Sequence, residues 1–312
     1  MIDTSYFSDV ADNLGINDPA IVEKDYWVTQ LLLKISTIKS EDYEFVFSGG
    51  TCLSKAHANT SRMSEDIDIK LVASPAILKA SSNMQKNARK NLFNQLTFVI
   101  NDSKDFSIIT DEMKIYSEYK HQYILVRYPK AYEGSDVLRD HIQLEITESE
   151  LLEPYNLLPL KSLYSEALSL DAEVSSMKCV SVYNTASEKL VALLRRTALV
   201  CRDNTEKDDE ALIRHAYDLY MISSMLNDFD KLQMMIRKVI DIDIEQFSNK
   251  HGQFKDHPIN ELQFGLEQLK TNEKYKSRYE NFINPLVYSE LPPNWNNVLE
   301  SLSTLVSKVL KK

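Results

Sequence analysis

Asp66 and Asp68 stand two residues apart in the run Arg62-Met63-Ser64-Glu65-Asp66-Ile67-Asp68-Ile69. If this run is extended, successive side chains alternate faces, so the two carboxylates share one face while Ile67 and Ile69 enter a core. Carboxylates about 6–7 Å apart along a strand repel each other unless a hard cation lies between them. Mg²⁺ takes such oxygen ligands, usually one or two carboxylates together with substrate phosphates; Mn²⁺ is a possible substitute. Upstream, the apolar Phe45-Val46-Phe47 runs into Ser48-Gly49-Gly50-Thr51-Cys52-Leu53-Ser54-Lys55. Glycines let a backbone approach a phosphate closely, and a helix N-terminus offers free N–H groups to an anion. Strand, glycine turn, short helix and paired acids, in that order, predict a site for a nucleoside triphosphate and its divalent metal. Lys55 and Arg62 flank the two halves, and each reads as either a phosphate contact or a plain surface residue.

A third acid would complete a metal-binding cluster. His141-Ile142-Gln143-Leu144-Glu145-Ile146-Thr147 alternates cleanly, with Ile142, Leu144 and Ile146 on one face and Gln143, Glu145 and Thr147 on the other. Glu145 is the candidate. Alternation alone reads equally as a solvated sheet face.

The elements that must carry these residues follow from punctuation and periodicity. Two helices fill the first 40 residues, the second started by Asp18-Pro19 with Ile21, Tyr26, Trp27, Leu31 and Leu32 as its apolar stripe. Strands are expected at 45–48 and 66–72, a helix at 51–58, and one long helix from Pro75 to about residue 100. Further strands are expected at 106–109, 113–119, 123–128 and 141–147, with a loop over 130–140 that holds Gly134, Ser135 and Asp136. A short strand at 177–182 precedes a helix from Asn184-Thr185, where Thr185 and Glu188 have capping-box spacing. That helix carries Lys189 beside Leu190, Leu193 and Leu194, and on residues alone Lys189 could be a surface lysine. After a polar loop comes Arg214-His215-Ala216-Tyr217-Asp218-Leu219, where Asp218 could bond Arg214, its i−4 neighbour. The remainder reads as helix broken at Gly252, Pro258, Pro285 and Pro292-Pro293.

Composition sets outer limits. At 312 residues the chain can bury a sizeable core and suits two domains, and 43% hydrophobic with 26% charged residues is ordinary for a globular protein. No apolar stretch is long enough to span a membrane, and the acidic start Met1-Ile2-Asp3-Thr4 does not resemble a secretory leader. Three cysteines without CxxC spacing fit a reducing cytoplasm, with Cys52 read as a buried structural thiol. A net charge of −10 argues against tight non-specific duplex binding. Nucleic-acid contact would then be local, and Lys86, Arg89 and Lys90, or Arg195 with Arg196, are candidate patches that also read as solvated helix faces.

Taken in order, these pieces resemble the AbiEii/AbiGii toxin family of the DNA polymerase β-like nucleotidyltransferase superfamily. Val22-Glu23-Lys24-Asp25-Tyr26-Trp27-Val28-Thr29 is similar to its lead-in helix. The Ser48–Lys55 and Arg62–Ile69 runs are similar to its glycine turn and DxD motif. Ser187-Glu188-Lys189-Leu190-Val191-Ala192-Leu193 resembles its lysine helix, and Arg214–Leu219 resembles its Arg-His-x-x-Asp-Leu segment. The resemblance implies an α/β (α+β) nucleotidyltransferase core with a small mixed, largely antiparallel sheet at 1–160, and an all-helical domain at 161–312 contributing Lys189 and Asp218. It implies that Ser48, Gly49, Gly50 and Thr51 form the phosphate turn, with Lys55, Arg62, Lys189 and Arg214 as further nucleotide contacts. Asp66 and Asp68 would hold Mg²⁺, with Glu145 as the third ligand, and Asp218 would fix a basic group or meet the nucleotide. The implied activity transfers a nucleoside monophosphate from an NTP to an acceptor hydroxyl, an RNA (tRNA) 3′ end first. The implied setting is the toxin of a bacterial toxin–antitoxin or abortive-infection pair, with a cognate antitoxin. Protein nucleotidylation, a metal-dependent phosphohydrolase or nuclease, and a non-catalytic nucleotide-binding protein are the other readings.

Overall fold

The computed structural model describes residues 3–133, 138–203, 205–247 and 249–310, so Gly134, Ser135 and Asp136 of the expected loop lie outside the described residues. The chain divides into two compact units, Met1–Ser181 with Tyr288–Glu290, and Val182–Val287 with Leu291–Lys312. The boundary therefore falls after Ser181 and not at the expected 160.

In the first unit the helices α1 (Tyr6–Asn13) and α2 (Pro19–Ser36) lead into β1 (Tyr43–Ser48), the single turn α3 (Gly49–Cys52) and β2 (Asp66–Ala73). There follow α4 (Pro75–Leu78), α5 (Ser82–Asn101), β3 (Ser107–Ile108), β4 (Lys114–Tyr116), β5 (His121–Arg127), β6 (Ile142–Glu148), β7 (Asn156–Leu160), α6 (Leu163–Ala167) and β8 (Val174–Cys179). Among the described residues the strands form one eight-stranded sheet in the order β3-β5-β6-β2-β1-β8-β7, with β4 paired to β5. The β2–β6 and β1–β8 pairs are parallel and the others antiparallel, the mixed and largely antiparallel sheet expected, though larger than the word small suggests. Because β8 bonds to β1, residues beyond 160 are bound into this sheet, which is why the boundary shifts.

Local chemistry accounts for most element ends. Asp18 accepts the Ala20 N–H at 2.9 Å and Pro19 opens α2, as the Asp-Pro pair predicts. The long helix expected from Pro75 is two helices, because Ser81 caps a fresh start at Ser82. Strand β7 has no counterpart in the expectations, since it contains Pro159, a residue tolerated only on sheet edges. The core joins Trp27, Val28, Leu31 and Leu32 of α2 and Leu92, Phe93 and Leu96 of α5 to Ile67, Ile69, Leu71, Leu144 and Ile146 of the sheet. Each such buried side chain stabilises the fold by about 1.5–3 kcal/mol.

The second unit consists of α7 (Val182–Arg202), α8 (Arg214–Met221), α9 (Phe229–Phe247), α10 (Gly252–Asp256), α11 (Pro258–Thr271), α12 (Glu273–Leu286) and α13 (Trp295–Val309), with no strand among its described residues. Helix α7 starts at Val182, so Thr185 lies buried inside it and is not a cap. At Gly265 of α11 a Cβ would overlap the Leu194 carbonyl of α7, so glycine lets these two helices close up.

The candidate basic patches are largely consumed by packing. Arg89 is buried and donates to the Tyr43 hydroxyl (3.0 Å), the Glu118 carbonyl (2.9 Å) and Glu148 (3.3 Å). Arg195 pairs with Asp243 at 2.7 Å and lies over the Phe247 ring, and Arg196 pairs with Asp209 at 2.8 Å.

Helix α2 carries three consecutive buried charges, Glu23, Lys24 and Asp25, each tying down a different segment. Glu23 accepts the N–H groups of Ala131 (2.7 Å) and Tyr132 (3.1 Å). Lys24, which has no solvent exposure, pairs with Glu65 and donates to the Arg139 carbonyl at 2.6 Å. Asp25 takes Lys55 at 2.7 Å and the Leu163 N–H at 2.7 Å. Removing one partner of a buried pair strands the other. Lys24→Met is expected to destabilise the first unit by about 3–5 kcal/mol, and Lys24→Met/Glu65→Met to recover part of that loss. Urea unfolding followed by Trp27 fluorescence in a Trp295→Phe background measures both, and an unchanged midpoint in Lys24→Met would contradict the tie.

Candidate functional site

Register places the acids. In the parallel β2–β6 pair Asp68 is matched with Glu145 and Asp66 with Gln143, while Ser48 at the end of β1 is opposite Asp68. Ile67, Ile69, Leu144 and Ile146 are buried in the core, so alternation puts Asp66, Asp68, Gln143 and Glu145 together on the opposite face. Burial, and next the charge of Asp66, push the Glu145 carboxyl above the usual glutamate range; the Gln143 amide, which donates to it at 2.5 Å, and Arg139 pull the other way.

The glycine turn grips the aspartate strand. The Ser48 hydroxyl donates to the Asp68 carbonyl at 3.1 Å. The Thr51 hydroxyl donates to the Asp66 carbonyl and lies 2.8 Å from the Ser64 hydroxyl. Gly49 has φ +76°, and a Cβ there would overlap the Asp68 carboxylate, so backbone conformation and close approach both require glycine. Beyond α3 the chain continues in a wider i→i+5 turn over Leu53–His57, a feature frequent at functional sites. Cys52 is fully buried against Cys179, and burial pushes its thiol well above the ordinary range, consistent with a structural thiol.

Lys55 ties the end of the glycine turn to α2, and Arg62 is buried. Lys55 is held by Asp25 and donates to the Lys161 carbonyl at 3.3 Å, and buried Arg62 donates to the Met63 carbonyl at 2.8 Å.

Arg139, unmarked among the expected site residues, stands on the acidic face. Its guanidinium pairs with Asp66 and donates to the Gln143 side-chain oxygen Oε1 at 2.8 Å; the same oxygen accepts the Tyr123 hydroxyl at 2.7 Å. Its backbone is held at both ends of the residue, the N–H by Glu65 (3.0 Å) and the carbonyl by Lys24. A lone arginine two residues before an alternating strand is the whole sequence signal.

The acidic face suits a divalent cation in donor chemistry: Asp66, Asp68 and Glu145 supply hard oxygens from adjacent strands. Among the described residues no three Asp, Glu, His or Cys side chains are drawn together as a metal-ligand cluster. The positive charge beside Asp66 here is that of Arg139.

In the second unit Lys189 of α7 and Asp218 of α8 form an ion pair at 2.9 Å, with both residues buried. Burial rules out the surface-lysine reading. The Arg214 guanidinium lies 5.9 Å from the centre of the Phe282 ring.

Comparison with known proteins bears on the fold and the family. A solved structure, MenT4, a nucleotidyltransferase toxin from Mycobacterium tuberculosis H37Rv, shares the fold at a TM-score of 0.53 and 20% identity, over 78% of this chain and 72% of that one. No curated protein sequence matches the chain. The profile of the family described as "Nucleotidyl transferase AbiEii toxin, Type IV TA system" matches residues 31–301, so the 22–29 segment of α2 lies ahead of the match. With the glycine turn, the DxD strand, Lys189 and Asp218 all inside that span, the chain belongs to the AbiEii family of nucleotidyltransferase toxins of type IV toxin–antitoxin systems.

Proposed function

We propose that this nucleotidyltransferase moves a nucleoside monophosphate from an NTP to the 3′ hydroxyl of an RNA, tRNA being the first acceptor to test. The observation that carries the reading is the shared face of Asp66, Asp68 and Glu145 on adjacent strands, with the Gly49 turn packed against Asp68. Phosphoryl transfer needs positioning and charge neutralisation more than covalent help. Asp66, Asp68 and Glu145 would hold Mg²⁺, which when bound supplies Lewis-acid charge neutralisation. Backbone N–H groups of Gly50 and Thr51 bind phosphate oxygens, and Glu145 receives the proton of the attacking hydroxyl. The hydroxyl oxygen bonds to the α-phosphorus as the bond to pyrophosphate breaks. Lys189, paired with Asp218, is assigned as a further nucleotide contact through the family's lysine motif. An acidic chain whose arginines are largely paired suits an end-directed RNA contact better than duplex binding. The toxin–antitoxin family brings a cognate antitoxin as partner.

Incubation with labelled NTPs and Mg²⁺, with RNA and protein fractions kept separate, tests the reading. Label is expected on RNA with release of pyrophosphate, and Asp66→Ala/Asp68→Ala is expected to lose at least ~10²-fold of the transfer rate, the scale seen when a preorganised charge stabiliser is removed. Label on protein would move the acceptor to a polypeptide, cleavage without label would indicate a hydrolase, and full activity in the double variant would remove the site. In the metal-free protein the Glu145 carboxyl is expected to titrate above an ordinary glutamate and to move down in Asp66→Asn, as followed by carboxyl ¹³C NMR. Because its folded-state value is raised, Glu145 favours the fold at low pH, and that contribution is lost as pH rises through the carboxylate range.

A further inference from the structure

Arg139 is not placed as a surface arginine is placed. Its N–H is fixed by Glu65 and its carbonyl by Lys24, and those two side chains form a buried pair with each other. From that anchored backbone the guanidinium reaches Asp66 directly, and it reaches Glu145 through Gln143, whose oxygen accepts from Arg139 and whose amide donates to Glu145. It is thus linked to two of the three carboxylates on the face.

We propose that Arg139 is a positioning residue that acts as the resident counter-cation of the acidic face, holding Asp66 when no metal is bound and competing with a divalent ion for it. The inference rests on the reading of Asp66, Asp68 and Glu145 as a divalent-ion site. Two consequences follow from the geometry. A divalent ion gains Asp66 only as the guanidinium gives it up, so Arg139 weakens ion binding by the strength of its own pair. The released guanidinium remains tethered beside the face, because its backbone is held by Glu65 and Lys24 whether or not its side chain is engaged. The device offsets the charge of Asp66 without closing the site to the ion.

Mn²⁺ binding to the full-length protein, measured by electron paramagnetic resonance of the free ion in the absence of nucleotide, tests this. Arg139→Gln is expected to bind Mn²⁺ roughly three- to tenfold more tightly than the wild type, the scale of one partly exposed charge-assisted pair. Arg139→Lys restores a positive charge and is expected to return the affinity toward the wild-type value. Folding of each variant is checked by urea unfolding. Equal or weaker Mn²⁺ binding in folded Arg139→Gln overturns the proposal, as does an Arg139→Lys protein that behaves like Arg139→Gln. Asp66→Asn/Asp68→Asn separates the two levels of inference. If it abolishes Mn²⁺ binding while Arg139→Gln leaves binding unchanged, only the counter-cation role fails. If it leaves Mn²⁺ binding intact, the metal-site reading fails and the counter-cation role with it.

Discussion

A lysine ammonium without access to water must be paired where it lies, and the pairing of Lys24 with Glu65 organises much of the first unit. Glu65 immediately precedes the aspartate strand, so this ion pair anchors the start of β2, from which Asp66 and Asp68 take the acidic face. The neighbouring charges extend the same logic. Glu23 holds the loop at Ala131 and Tyr132, and Asp25 holds the turn through Lys55 and the start of α6 through Leu163. One helical turn of α2 thus anchors parts of the chain distant in sequence. Such burial is costly on its own and is sustained only when each charge is satisfied. Satisfaction here comes as much from backbone N–H and carbonyl groups as from opposite charges.

The sheet supplies the second level of order. A parallel β2–β6 pair sets Asp68 beside Glu145, and a one-residue slip of β2 would turn Asp66 and Asp68 into the core. Ile67, Ile69, Leu144 and Ile146 forbid that slip, so hydrophobic burial on one face defends the polar arrangement on the other. The glycine turn adds a contact that no other residue type could make. Gly49 lies against the Asp68 carboxylate in a conformation with positive φ, which couples glycine turn and acid by contact.

Much of this was legible because it depends on local pattern. Alternation in β2 and β6 marked Asp66, Asp68 and Glu145 on one face, and Asp18-Pro19 marked the start of α2. What escaped depends on distant pairing. Lys24 and Glu65 are 41 residues apart, and Lys24 and Arg139 are 115 apart, separations at which periodicity carries no information. Arg89 looked like part of a basic surface patch because its neighbours Lys86 and Lys90 are lysines, yet tertiary packing buries it against Tyr43 and Glu148. Strand β7 was hidden by Pro159, and the pairing of β8 with β1, which keeps residues beyond 160 in the first unit, joins residues over 130 apart in sequence.

The position of β1 in the sheet has a consequence for how the protein is made. This strand carries the glycine turn, yet one of its neighbours is β8, whose pairing joins Phe47 to Cys179. During synthesis β1 emerges early and waits, its free edge exposed, until more than half the chain has been translated. Parallel pairing over such a separation has a large loop-closure cost and forms slowly. The acidic face likewise lacks Glu145 until β6 has been made. A growing chain of this toxin therefore has its acidic face incomplete and its central sheet open until residues 145 to 179 leave the ribosome.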